Sequence, residues 1–95
     1  MLLAIDVGNT LTDFGVFKEH QLVRTFLTES VSTKSADEYE TILTLFIQSK
    51  AIDPSEIHEV IISSVVPALT RVFSSLCEKI FHVKAIVLGL HLKSG

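Results

Sequence analysis

Asp6-Val7-Gly8-Asn9-Thr10 is the segment of this chain best equipped for chemistry. It follows an apolar run, Leu2 to Ile5, and leads into another, Phe14 to Phe17. That pattern predicts strand, tight turn, strand, with a carboxylate at the end of the first strand. Gly8 has access to backbone angles closed to other residues and lets another group approach the main chain. Asn9 tolerates left-handed angles, and Thr10 carries a hydroxyl. Successive N–H groups in such a turn form a concavity for an anion. Asp6 beside it is placed to order a hydrated Mg²⁺, since hard cations take oxygen ligands and accompany phosphates. A carboxylate beside a phosphate loop is the minimum equipment for handling a nucleotide. Gly-Asn is also an ordinary hairpin turn pair. The position of Asp6 just inside a strand end, costly for an unpaired carboxylate if buried, favours the chemical reading.

Neighbouring residues extend the candidate site. Leu11 follows the turn directly, Thr12 could add a hydroxyl, and Asp13 adds a second carboxylate. A half-buried strand threonine is an equally ordinary reading of Thr12. Asp6 with Asp13 also raises a two-metal nuclease, which needs several carboxylates at strand ends. No acid ends the Val60–Ser64 run, where such an enzyme would want one, and Asp37 and Glu38 suit a helix start. Ser63 and Ser64 close a buried strand, where they line a cleft or satisfy backbone groups. Lys93 is a further anion candidate, though most lysines are solvated surface. Cys77 falls on an apolar helix face and reads as core. His20, His58, His82 and His91 lack metal-ligand spacing.

The elements that must hold these residues are legible from periodicity. Leu2 to Val7 and Leu11 to Lys18 read as strands, with a turn over Lys18 to Gln21. Leu22 to Thr28 alternates, with Leu22, Arg24, Phe26 and Thr28 on one face and Val23, Thr25 and Leu27 on the other. Ser35 and Glu38 form a capping box. Tyr39, Ile42, Leu43, Phe46 and Ile47 then mark one helix face. Asp53-Pro54 is a turn. Ile57 to Val66 holds a buried strand ending near Ser63-Ser64, and Pro67 suits a helix start. Leu69, Val72, Phe73, Leu76 and Ile80 mark that helix's buried face, and Val83 to Leu88 is a last strand. The order β-β-β-α-β-α-β predicts a three-stranded meander joined to parallel units with right-handed crossovers. This is an α/β chain of ribonuclease-H-like arrangement with a mixed sheet.

The totals narrow the class. Ninety-five residues suit one small domain, and 47% hydrophobic residues can bury a core. A net charge of −3 argues against a nucleic-acid-binding module. No apolar stretch reaches membrane-spanning length, no signal-peptide pattern opens the chain, and one cysteine fits a reducing compartment. A cytoplasmic location follows as the expectation.

The chain resembles the N-terminal domain of type III pantothenate kinases, members of the acetate-and-sugar-kinase, Hsp70 and actin superfamily. Four stretches carry the likeness: Ile5 to Thr10 with Phe14-Gly15-Val16-Phe17; Ser35 to Tyr39; Ile62 to Pro67; and Leu88-Gly89 with Leu92 to Gly95. The resemblance implies one ribonuclease-H-like domain over residues 1–95, equivalent to the N-terminal half of a two-domain actin-like kinase, the second domain lying outside this sequence. It implies ATP-dependent phosphorylation of pantothenate on the way to coenzyme A, in a homodimer. Asp6, Val7, Gly8, Asn9, Thr10, Leu11, Thr12 and Asp13 would form the ATP phosphate loop, with Asp6 meeting Mg²⁺ through water. The family's monovalent cation (K⁺ or NH₄⁺), its catalytic Asp and its second phosphate motif have no counterpart within residues 1–95. The chain alone is therefore expected to lack kinase activity. Leu11 stands where the family usually has Asn, and Leu90 and His91 where it has Pro and Gly. These departures keep a second reading open, a non-catalytic relative acting as a binding or regulatory module.

Overall fold

A computed structural model describes residues 1–89. Lys93 and the departures at Leu90 and His91 lie outside that range. Five strands form one sheet in the order β3-β2-β1-β4-β5. They are β1 (Leu2–Val7), β2 (Leu11–Lys18), β3 (Gln21–Glu29), β4 (Glu59–Ser64) and β5 (Ile86–Gly89). Helices α1 (Ala36–Ser49) and α2 (Pro67–Phe81) intervene, with a single 3₁₀ turn at Pro54–Glu56. The first three strands are antiparallel neighbours, while β4 and β5 add in parallel beyond β1. This is the mixed α/β sheet that the element order predicts.

Each helix starts for a reason visible in its residues. The Ser35 hydroxyl accepts the Glu38 N–H at 3.1 Å, and Glu38 Oε1 accepts the Ser35 N–H at 3.0 Å. This capping box holds the Glu38 carboxyl below its ordinary range, through the Ser35 backbone N–H first and its hydroxyl second. Helix α2 opens on Pro67, which needs no donor at that position, and ends on His82 in a left-handed conformation.

The core lies between the helices and one face of the sheet. Leu3, Ile5, Val7, Phe14, Val16, Val60 and Ile62 line the sheet side; Tyr39, Leu43, Phe46, Leu69, Phe73 and Cys77 are among the helix residues that meet them. Phe14 sits in the middle, its ring 5.6 Å from Phe46 and edge-on to Phe73 at 5.5 Å. Cys77 is wholly buried, and desolvation pushes its thiol up to about 12. It is core, as its place on the helix predicts.

Two local features depart from simple alternation. The register between β2 and β3 shifts at Val16/Phe17, so Val23 is an extra residue facing no partner. Such a bulge reverses the faces on either side of it. Leu22 therefore shares a face with Thr25 and Leu27, not with Phe26 and Thr28 as strict alternation requires. The Lys18–Gln21 turn places Glu19 at φ 52° and His20 at φ 69°, so both central residues adopt left-handed angles. The last strand starts at Ile86 rather than Val83, because the left-handed cap at His82 leads into an extended connection first.

Candidate functional site

The site is assembled where β1 ends. Val7 is buried in the core, and its carbonyl accepts the Val65 N–H at 3.0 Å. That bond ties the β4–α2 junction to the base of the Gly8–Thr10 turn. The turn closes through Gly8 N–H to the Leu11 carbonyl at 2.9 Å. A third tie runs from the Ser30 N–H to the Thr10 carbonyl at 2.8 Å, so the end of β3 braces the turn from the other side. Three backbone hydrogen bonds thus brace the turn.

The conformational reading of the turn needs correction. Among the described residues only Glu19, His20, Ala51 and His82 have positive φ; Gly8 and Asn9 do not. Glycine at position 8 serves close approach instead. A Cβ there would lie 3.0 Å from the Leu11 carbonyl oxygen, a backbone atom already engaged in the turn. The Gly8 N–H is likewise committed to Leu11. Among the described residues, the Asn9 and Thr10 N–H groups have no partner, and both residues are exposed.

Asp6 is exposed on the face of the sheet opposite the helices. It stands directly across from Asp13 on β2 and beside Ser63 on β4. The register extends this row to Leu27 on β3 and Leu88 on β5. Two carboxylates directly opposite on neighbouring strands repel. The one salt bridge among the described residues joins Lys79 to Glu40, far from either acid. Among the described residues, no Lys or Arg forms a salt bridge with either acid. No group of three or more His, Cys, Asp or Glu that could hold a metal occurs among the described residues. Asp6 and Asp13 offer at most two carboxylates, and a Mg²⁺ ion held by so few protein ligands would keep most of its water.

Thr12 is placed differently from the other loop candidates. Its side chain is fully buried, and its hydroxyl pairs with Ser30 Oγ at 2.7 Å. Strand alternation puts it on the helix side, away from Asp6, so its contribution is to brace the turn. Leu11 is 45% exposed at the mouth of the turn. Ser64 bonds both backbone groups of Val66, shaping the entry to α2. Tyr39 was legible only as core, yet its hydroxyl accepts the Val31 N–H at 2.8 Å and reaches the Glu29 and Val31 carbonyls. It thereby anchors the segment that carries Ser30.

Comparison with known proteins agrees with this architecture. A family model described as type III pantothenate kinase matches residues 2–95. The type III pantothenate kinase of Dehalococcoides mccartyi strain 195 is 37% identical over 94 residues, covering 99% of this chain and 36% of the relative. That of Syntrophus aciditrophicus is 38% identical over 95 residues, covering 100% and 37%. The chain thus spans little more than a third of the length of the curated relatives it matches, corresponding to their N-terminal portion. A Bacteroides thetaiotaomicron protein with an actin-like ATPase fold and unknown function superposes with a TM-score of 0.65 at 13% identity, over 92% of this chain and 32% of that one. This likeness establishes the fold. On the family match and the shared sequence, the chain belongs to the type III pantothenate kinase family.

Proposed function

We propose that residues 1–95 form the phosphate-handling N-terminal part of an ATP-dependent pantothenate kinase. The observation that carries this reading is the juxtaposition, on a braced turn, of Asp6 with the amides of Asn9 and Thr10, none of which has a salt-bridge or hydrogen-bond partner among the described residues. Asp6 would hold Mg²⁺ with the nucleotide, and Asp13 would add negative charge beside it. The Asn9 and Thr10 N–H groups and the Thr10 hydroxyl donate to phosphate oxygens. Mg²⁺, when bound, would supply charge neutralisation for the phosphates. Phosphoryl transfer depends mainly on positioning and charge stabilisation, which a pre-braced loop supplies without reorganising. Val7 and Leu11 frame the turn, and Thr12 fixes it through Ser30. Deprotonation of the pantothenate hydroxyl falls to a carboxylate outside residues 1–95, so this stretch alone turns over no substrate.

Amide-resolved NMR titration with Mg²⁺-ATP tests the reading. The Asn9 and Thr10 amide signals are expected to move, and Gly8, bonded to Leu11, to move less. Asp6→Asn is expected to remove the Mg²⁺ dependence while the spectrum stays folded. An absence of shifts at millimolar Mg²⁺-ATP would overturn the proposal and leave the kinase ancestry structural only, as in a binding or regulatory module.

A further inference from the structure

Two serines end β4, and the structure separates them. Ser64 is in register with Val7 on the helix side, and its hydroxyl bonds both backbone groups of Val66. Ser63 is in register with Asp6, so it lies on the opposite face. It is half-buried, and no hydrogen bond engages its hydroxyl among the described residues. Its neighbourhood makes a serine there unexpected. The preceding row on that face runs Thr25, Gly15, Ala4, Ile61 and Ile86, with an isoleucine as the β4 residue. A half-buried strand position ordinarily takes such a β-branched side chain. The row through Ser63 runs Leu27, Asp13, Asp6, Ser63 and Leu88, three polar residues side by side between two leucines. Neighbouring strands lie about 4.8 Å apart. The Ser63 hydroxyl and the Asp6 carboxylate therefore share one small volume below the Gly8–Thr10 turn.

We propose that Ser63 is a specificity-determining residue of this site: its hydroxyl favours a cation that arrives with a nucleotide over a bare cation. The proposal rests on the reading of the turn as a nucleotide-phosphate site. Mg²⁺ is ordinarily held by one or two carboxylates, with water and substrate phosphates as its other ligands. Asp13 and Asp6 supply two carboxylates, and the described residues hold no group of three His, Cys, Asp or Glu that could bind a metal. Position 63 is where the sheet would place a third. Three acids in a row would take up a divalent cation with no phosphate present, and such a site stays loaded whether or not a nucleotide comes. A hydroxyl adds no charge, yet its oxygen still accepts a hydrogen bond. Ser63 thus contributes an acceptor for water on the cation while the phosphates remain necessary to hold it. The apolar alternative, set by Ile61 one row back, would leave that water without a partner on the β4 side.

The test measures binding to this chain, not turnover. Mg²⁺-ATP affinity is read from the Asn9 and Thr10 amide shifts, and Mn²⁺ affinity without nucleotide from the electron paramagnetic resonance signal of the free ion. Ser63→Ala is expected to weaken Mg²⁺-ATP by about fivefold, the scale of one lost hydrogen bond, with an unchanged melting temperature. Ser63→Thr keeps the hydroxyl and is expected to restore the affinity. Ser63→Asp is expected to bind Mn²⁺ alone at least tenfold more tightly than the parent. Circular dichroism confirms that each variant is folded, and if Ser63→Asp is not, the Ala and Thr variants decide. Three results overturn the proposal: Ser63→Ala binding Mg²⁺-ATP as the parent does, Ser63→Thr failing to recover what Ser63→Ala loses, or a folded Ser63→Asp with no gain in Mn²⁺ affinity. In each of these the parent still binds Mg²⁺-ATP, so the reading of the turn survives. A parent whose Asn9 and Thr10 signals ignore Mg²⁺-ATP overturns both together.

Discussion

Replacing each of two glycines by alanine is expected to move stability in opposite directions. Neither Gly8 nor Gly15 has positive φ, so alanine meets no backbone-angle penalty at either site. At both, the unfolded chain loses freedom, which ordinarily stabilises by roughly 0.4–1 kcal/mol. The surroundings then decide. At Gly15 the new Cβ lies 3.1 Å from Leu22 Cδ1, the tip of a side chain that is half exposed and free to rotate away. Gly15→Ala is therefore expected to stabilise by about 0.5 kcal/mol. At Gly8 the Cβ lies 3.0 Å from the Leu11 carbonyl oxygen, which is held by the 2.9 Å bond that closes the turn. Relieving the clash means loosening that bond, a loss of about 0.5–1.5 kcal/mol, with strain from the neighbouring ties added. Gly8→Ala is expected to destabilise by roughly 0.5 kcal/mol net. For a chain of this size each kcal/mol shifts the melting temperature by roughly 4–8 °C. Urea denaturation with a common m-value provides the assay. A Gly8→Ala protein as stable as the parent, or a Gly15→Ala protein less stable than it, would refute the argument from close approach.

Other outcomes follow from single features. Asp6→Asn relieves the repulsion across from Asp13 and is expected to raise stability by about 0.2–1 kcal/mol, measured by thermal melting, while abolishing Mg²⁺-dependent nucleotide shifts. The double change Glu19→Asn and His20→Gly puts residues that favour left-handed angles into the Lys18–Gln21 turn and is expected to stabilise by about 1–2 kcal/mol in the same assay. Tyr39→Phe strands the Val31 N–H and is expected to cost about 1–3 kcal/mol in urea melts. Cys77 is expected to resist iodoacetamide until the chain unfolds. Its thiol rises from 9.0 to about 12 in the fold, so the unfolded state releases its proton first. Stability should fall as pH climbs from about 9 towards about 12, a dependence absent in Cys77→Ala. Glu38 carries the opposite sign. Its carboxyl lies below 4.5, so the capping box is intact above that pH and is lost as the carboxylate protonates on acidification, visible as fraying of α1 in Wild-type but not Glu38→Gln spectra.

Much of the fold was legible because local rules and tertiary packing agree. The Ser35–Glu38 box, Pro67 at a helix start and the spacing from Tyr39 to Ile47 each act within a few residues. The alternation in β3 misled at Val23, because a bulge depends on how β2 pairs and leaves no mark in composition. The site was legible in part. Asp6 at a strand end and the turn after it were readable from residue types alone. The reason for glycine at position 8 was not, since it lies in the approach of the Leu11 carbonyl. Nor was the bond from Thr12 to Ser30, whose partners meet only once β3 has folded back over β2. Tyr39 at helical spacing reads as any core aromatic; its hydroxyl matters only through the loop that crosses above it.

The place of β1 in the middle of the sheet also sets an order of events during synthesis. Its partner on one side, β2, emerges at once and pairs through a short turn. Its partner on the other, β4, aligns Leu2 with Glu59 and cannot arrive until the intervening meander and α1 have been made. Closing so long a loop is slow relative to hairpin formation. For that interval the nascent meander exposes Leu3, Ile5 and Val7 along an unpaired strand edge, the condition under which chains pair with one another instead of with themselves. Substitutions that weaken β4 or α2 should therefore show first as lost soluble yield at fast expression rates, before any loss in the stability of the molecules that do complete their sheet.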